Sequence, residues 1–270
     1  MIDVNLQCPA SSGNLIAAIY FSSNAIYYPN EEGEFRHSIF HNNRFEWFGT
    51  RYATASRHIF VRDVFKQWYV EGISETNNSA DKVIIALKEL TKGYNTITIG
   101  SSAGGYAAAL IGCALDANEI FCFAAQFDIS NEAALTELSR NPLLVQHRED
   151  PSCNKYFELK DIIKSKPGSI IHYFAPLLSA IDIPQIKYVE DIPNLNIYRF
   201  KTKRHGIPFL PTVLTKLLGE DKDRILKYLQ DRHGQELGPT RFSILFSDPM
   251  KLMLFVLTKI SGMIRHHFAR

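Results

Sequence analysis

The chain has 270 residues, 46% of them hydrophobic and 21% charged, with a formal net charge of +2. That is enough chain to bury one sizeable core, and the composition excludes a disordered or fibrous protein. So small a net charge argues against a surface built for nucleic acid, and no uninterrupted apolar run reaches the roughly 18 residues needed to cross a bilayer.

Leu15-Ile16-Ala17-Ala18-Ile19-Tyr20-Phe21 is a continuous apolar run of strand length, as expected for a strand covered on both faces. It empties into the polar loop Ser22-Ser23-Asn24. Residues 25 to 57 are rich in aromatic and polar groups with no clear period, and read as a long surface excursion of the kind that tends to carry function. His58-Ile59-Phe60-Val61 is a short strand, followed by Trp68-Tyr69 and a closing Gly72. Residues 78 to 92 have apolar groups at helical spacing and end at Gly93. Asn95 to Ile99 is a β-branched strand, and Tyr106 to Leu115 a helix. Ile120 to Ala125 is another buried strand, with helices expected at about 130 to 140 and 157 to 165. Ser169 to Ala175 and Leu195 to Phe200 complete the strands, and a helix is expected from Asp221 to Arg232. Buried strands alternating with helices imply an α/β fold: a mostly parallel sheet of about six strands with helices on both faces.

Between the strand ending at Ile99 and the helix from Tyr106 lies Gly100-Ser101-Ser102-Ala103-Gly104. This is G-x-S-x-G at a strand-to-helix turn, the nucleophile elbow. Ser102 has glycine two residues before and two after it, whereas Ser101 does not. A serine hydroxyl needs a histidine to take its proton, and in this architecture the order is Ser, then Asp or Glu, then His, outside the carboxyl ends of the strands. His205 lies just past the last strand, in Lys203-Arg204-His205-Gly206. His233 ends a helix, His172 lies inside a strand, His266 and His267 close a basic tail, and His37 and His41 belong to the early excursion. Asp182 follows the penultimate strand and can orient His205. Asp128, after the preceding strand, is the alternative acid, Asp191 a weaker third, and a helix N-cap is the structural alternative for Asp182. For the oxyanion, the backbone N–H of Ala103 is one donor; Ser23, in the loop after an early strand, is the candidate second, with a structural turn as its alternative, and no HGGG-type sequence is present.

With these residues placed, the chain resembles the α/β-hydrolase superfamily through Gly100 to Gly104, Asp182 and His205. More narrowly, it resembles serine-dependent proteins of bacterial surface-glycan pathways, including capsular polysialic acid O-acetyltransferases and glycan-acetylating accessory secretion proteins. The short interval from Asp182 to His205, the Trp68-Tyr69 with Gly72, and the lack of a large lid insertion fit that group. The resemblance implies an acyl-enzyme on Ser102, resolved by water or by a sugar hydroxyl. It implies no metal or flavin, and acetyl-CoA as co-substrate if the protein is a transferase. Arg199, Lys201, Lys203 and Arg204 cluster before His205. Arg199 and Lys203 are candidates for holding an acidic glycan or a phosphate, with a solvated strand end as the alternative. The rival function is a non-catalytic scaffold or peripheral membrane protein on the same fold.

Four cysteines, Cys8, Cys113, Cys122 and Cys153, form no CxxC pair and no metal-ligand spacing. With no basic-then-apolar start after Met1, this favours the reducing cytoplasm; the inner face of the membrane is the alternative if the C-terminal helix lies on it. Residues 1–247 read as one hydrolase domain and 248–270 as a basic amphipathic helix. That helix is expected to dock on the same domain, with an interfacial membrane helix or a dimer contact as alternatives. The expected partners are a small ester or a glycan, and not nucleic acid.

Overall fold

In the computed structural model, residues 1–6, 15–130 and 142–250 are described. Among them one sheet runs in the order β1-β3-β2-β4-β5-β6-β7-β8, with β1 at Ile2–Leu6, β2 at Ile16–Phe21, β3 at Arg57–Val61, β4 at Asn95–Ser101, β5 at Glu119–Phe123, β6 at Ile170–Pro176, β7 at Leu195–Phe200 and β8 at Glu236–Leu237. Every pairing from β3 across to β8 is parallel, and only β1 runs antiparallel, against β3. The chain has an α/β-hydrolase-like fold.

The six apolar strands legible in the sequence are β2 to β7. The two added strands sit at the edges, where burial on both faces is not required. In β1, Ile2-Asp3-Val4-Asn5-Leu6 mixes polar with apolar residues, and Val4 is exposed. β8 is only two residues long.

Strand periodicity sorts the core into two halves. In β2, Ile19 and Phe21 face a cluster that includes Val83 and Leu87 of helix α1 (Ala80–Leu90) and most of helix α2 (Ala103–Ala114). Ala18 and Tyr20 face the other side, with Phe121, Phe123, Phe174 and Phe200, under Val213, Leu217, Ile225, Leu229 and Phe242 from three later helices. This second half is an aromatic stack: Phe123 and Phe174 lie 4.7 Å apart between ring centroids, and Phe200 and Phe242 5.1 Å. Helix α1 begins where Ser79 Oγ accepts from Lys82 N–H at 3.3 Å, and the chain turns away at Gly93, φ +81°. The helix expected from Asp221 is Lys222–Gln230, and that near 157 to 165 is Lys160–Lys164. The helix expected at 130 to 140 falls almost wholly on 131–141, and the C-terminal helix expected at 248–270 almost wholly on 251–270, both ranges outside the described residues. Among the described residues no helix is long and apolar enough to cross a membrane.

The strand order reverses at β2. From β2 the chain crosses to β3 on one side, and from β3 it returns to β4 on the other. The loops leaving β2 and β4 therefore diverge, and a crevice opens at their carboxyl ends. Ser22-Ser23-Asn24 leaves one strand and Ser102 the other. The excursion after β2 folds over this edge: Trp47 Nε1 donates to Phe21 O at 3.1 Å, and Glu46 N to Ser22 Oγ at 3.3 Å.

Candidate active site

Ser102 has φ +55° and ψ −123°, a conformation that costs an L-residue on the order of 1–3 kcal/mol. The surrounding packing enforces it. Gly100 and Gly104 approach so closely that a Cβ on Gly100 would lie 2.0 Å from Gly104 O, and one on Gly104 2.3 Å from Phe21 O. Only glycine lets the helix start against the strand end at this distance. Ser102 N–H donates to Phe123 O at 2.9 Å, which ties the turn to β5. The side chain is thereby held clear of the helix at the crevice, and it is partly accessible.

His205 lies in the loop after β7. Its Nε2 is 2.8 Å from Ser102 Oγ, and its Nδ1 is 2.9 Å from Asp182 Oδ2. A carboxylate only accepts, so Nδ1 carries the proton and Nε2 accepts from the serine hydroxyl. Asp182 is fully buried at 0% exposure, while the His205 side chain remains 28% exposed toward the cavity. Asp182 does not cap its helix, Asp182–Val189: it is the first helical residue, and the capping position belongs to Ile181 without a side-chain bond. Its second oxygen, Oδ1, is buried and has no hydrogen-bond partner among the described residues. Asp128, the alternative acid, is committed elsewhere. Its Oδ1 accepts from Ser130 N at 2.8 Å and Ser130 Oγ at 2.6 Å, and its backbone is pinned by Gln185 Oε1.

The oxyanion expectation divides. Ala103 is the first residue of α2, so its N–H has no helical acceptor, and it stands next to Ser102. Ser23, by contrast, is occupied: its N–H donates to Glu46 Oε2 at 2.6 Å and its hydroxyl to Glu46 Oε1 at 3.0 Å. Burial pushes the Glu46 carboxyl up, and the two Ser23 donors pull it back. Glu46 comes from the aromatic excursion, which carried no signal of this contact. The neighbouring Asn24, not Ser23, lines the cavity.

That cavity, of about 540 Å³, opens over Ser102 and His205 and is walled by Asn24, Tyr27, Lys66, Trp68, Gln126 and Ile181, among others. Arg199 and Lys203 do not line it. Arg199 points off the face of β7, 3.9 Å from Glu190, and Lys203 is exposed. Strand side chains stand perpendicular to the sheet, which turns Arg199 away from the strand's end. The cation that does reach the cavity is Lys66. Its ammonium bonds Asn30 Oδ1 and lies 3.4 Å from the Tyr27 ring centroid. Burial lowers it to about 8, against the opposing fields of Glu46 and Asp63. Asp63 shapes this wall by accepting backbone N–H bonds from Phe65, Lys66, Gln67 and Tyr69 at 2.7–3.1 Å. Lys66, Trp68 and Tyr69 all adopt positive φ. Asp63 followed by a polar, aromatic run was the available signal for this loop.

Among the described residues the remaining histidines stay out of the site, and His266 and His267 lie outside those residues. His172 is buried in β6 with Nδ1 3.1 Å from Tyr198 OH, and His37 and His41 lie on the excursion. Cys113, Cys122 and Cys153 are buried free thiols, and burial pushes Cys113 up to about 12. Cys8 lies outside the described residues.

No protein-family model matches the chain, and no curated protein does. Solved structures do. The capsule O-acetyltransferase of Neisseria meningitidis serogroup A is similar at 16% identity over 82% of this chain and 87% of that one, with a TM-score of 0.45. Acetyl xylan esterase 1 from Thermoanaerobacterium is similar at 12% identity over 73% and 70%, TM-score 0.43. An S-formylglutathione hydrolase from Agrobacterium tumefaciens is similar at 14% identity over 86% and 90%, TM-score 0.46. The strand order and the elbow of this chain carry the fold assignment by themselves.

Proposed function

We propose that the protein is a serine-dependent acyl-transfer enzyme, an ester hydrolase or an O-acetyltransferase. The observation that supports it is the relay Ser102 Oγ to His205 Nε2 at 2.8 Å and His205 Nδ1 to Asp182 Oδ2 at 2.9 Å. A scaffold protein has no use for a strained serine aimed at a histidine whose tautomer a buried carboxylate sets.

In this reading Ser102 Oγ attacks the ester carbonyl while His205 Nε2 takes its proton. Asp182 holds the imidazole in place and stabilises the imidazolium that forms. The developing oxyanion meets Ala103 N–H, with a second donor drawn from the loop after β2. His205 then returns the proton to the leaving group, an alkoxide from an ester or the CoA thiolate from acetyl-CoA, and an acyl group remains on Ser102. Water or a sugar hydroxyl, deprotonated in turn by His205, releases it. Lys66 on the cavity wall favours a donor or acceptor that carries an anionic group, the role expected in sequence of Arg199 and Lys203. The reading extends to a bacterial surface polysaccharide, or its precursor, as the acceptor, with acetyl-CoA as the donor.

A fluorophosphonate probe tests the nucleophile: the folded wild type labels, and Ser102→Ala does not. Absence of labelling in the folded wild type sinks the reading. Supplying an acetyl donor with and without candidate glycans separates the two reactions. Full-speed donor consumption without acceptor identifies a hydrolase, and acceptor-dependent consumption a transferase.

A further inference from the structure

On the outer side of the loop that walls the cavity, three side chains of different chemistry converge. Glu71, His147 and Cys153 each place a ligand atom within 4.8 Å of the other two. Glu71 closes the turn that begins at Asp63, between buried Val70 and Gly72. His147 follows the helix Pro142–Gln146, and Cys153 lies in the helical turn Pro151–Asn154. The bond from Asp150 N–H to His147 O at 2.9 Å and that from Cys153 N–H to Asp150 O at 3.0 Å fold this segment back, bringing His147 and Cys153 to one side.

We propose that Glu71, His147 and Cys153 bind a zinc ion that clamps the 142–154 segment to the wall of the active-site cavity. This rests on their placement alone and not on the acyl-transfer reading.

The donor set is one carboxylate oxygen, one imidazole nitrogen and one thiol sulfur, a combination suited to a borderline-soft cation and poorly suited to calcium or magnesium. The spacing fits. Ligands about 2.0–2.3 Å from a tetrahedral zinc lie roughly 3.3–3.7 Å from one another, and His147 Nδ1 is 3.4 Å from Glu71 Oε2. An independent observation points to a missing ligand: Glu71 Oε1 is buried and has no hydrogen-bond partner among the described residues. A buried carboxylate oxygen without a donor is costly, and a cation relieves that cost. Cys153 is 6% exposed, and zinc takes a cysteine sulfur as the thiolate, so binding releases the thiol proton to solvent. His147 keeps 36% of its side chain exposed, which leaves the fourth position open to water. The clamp would reinforce an existing tie, Leu144 N–H to Gln67 Oε1 at 2.8 Å, one residue from Trp68 on the cavity wall.

The test uses the full chain, stripped with a chelator and titrated with Zn²⁺ or with Co²⁺ as a spectroscopic stand-in. The expected result is one equivalent bound, a thiolate-to-cobalt charge-transfer band, release of a proton and a rise in melting temperature. Cys153→Ser abolishes the band, and His147→Ala and Glu71→Gln each weaken binding at least tenfold. If a variant does not fold, cobalt titration of the wild type still decides through the thiolate band. Failure to bind either ion, or binding without that band, overturns the proposal. So does binding that Cys153→Ser leaves unchanged.

Discussion

The Asp182 carboxylate, fully buried, meets His205 Nδ1 at 2.9 Å across the ends of two neighbouring strands. That contact sets which nitrogen of His205 is free to accept from Ser102. Asp182→Asn is therefore expected to leave the fold intact and to lower kcat by about 10³- to 10⁴-fold, the cost of the wrong tautomer in a Ser-His-Asp relay. Steady-state hydrolysis of an activated acetyl ester measures it. A loss confined to KM would remove Asp182 from this role.

Backbone strain at Ser102 predicts an unusual stability ranking. Ser102→Gly relieves the positive φ that Ser102→Ala retains, so the glycine variant should be the more stable by about 1 kcal/mol, net of glycine's extra chain entropy. Gly104→Ala goes the other way. Its Cβ would strike Phe21 O at 2.3 Å, a backbone atom that cannot rotate aside, and a loss of about 3 kcal/mol or more is expected. Urea unfolding of the three variants checks the order, and equal stabilities for the first two would show that the turn is unstrained.

Trp68 Nε1 donates to Gln126 Oε1 at 2.9 Å, and both residues wall the cavity. The bond fixes the amide's orientation and leaves Gln126 Nε2 to serve a substrate oxygen. Gln126→Ala should lower kcat/KM by about tenfold, the worth of one net hydrogen bond of ~1–1.5 kcal/mol. Trp68→Phe, which keeps a ring but loses the donor, should have a smaller effect in the same direction. An unchanged kcat/KM in Gln126→Ala would show that the amide touches no reacting group.

Acid stability should turn on Glu119, far from the site at the start of β5. Burial acts to raise this carboxyl, but the His172 ring at 3.7 Å and the Lys222 ammonium at 2.6 Å more than reverse it, holding it at about 2. A carboxyl depressed in the folded state binds its proton more readily when unfolded. Its stabilising contribution is therefore present above about pH 4.5 and is lost as pH falls toward 2. Glu119→Gln should flatten the stability profile in that window, as read from urea midpoints between those pH values. A wild-type and variant pair that fall in parallel would rule the contribution out.

Local chemistry alone determined the fold class, the elbow and the order of its partners. The strands are readable because a strand buried on both faces is largely apolar, as Ile16 to Phe21 and Ile120 to Phe123 are. Ser102 is readable because its turn tolerates only glycine at Gly100 and Gly104, and the positions of His205 and Asp182 because each lies in the loop past a strand end. Tertiary structure decided the rest. It placed Asp182, rather than Asp128, against His205, since both follow strands and only packing of the loops chooses between them. It engaged Ser23 with Glu46 from across the excursion, and it brought Lys66 to the cavity while turning Arg199 away. It also joined Glu71 to His147 and Cys153 across more than 70 intervening residues. Such contacts depend on how loops cross in space, and neither periodicity nor motif spacing records that.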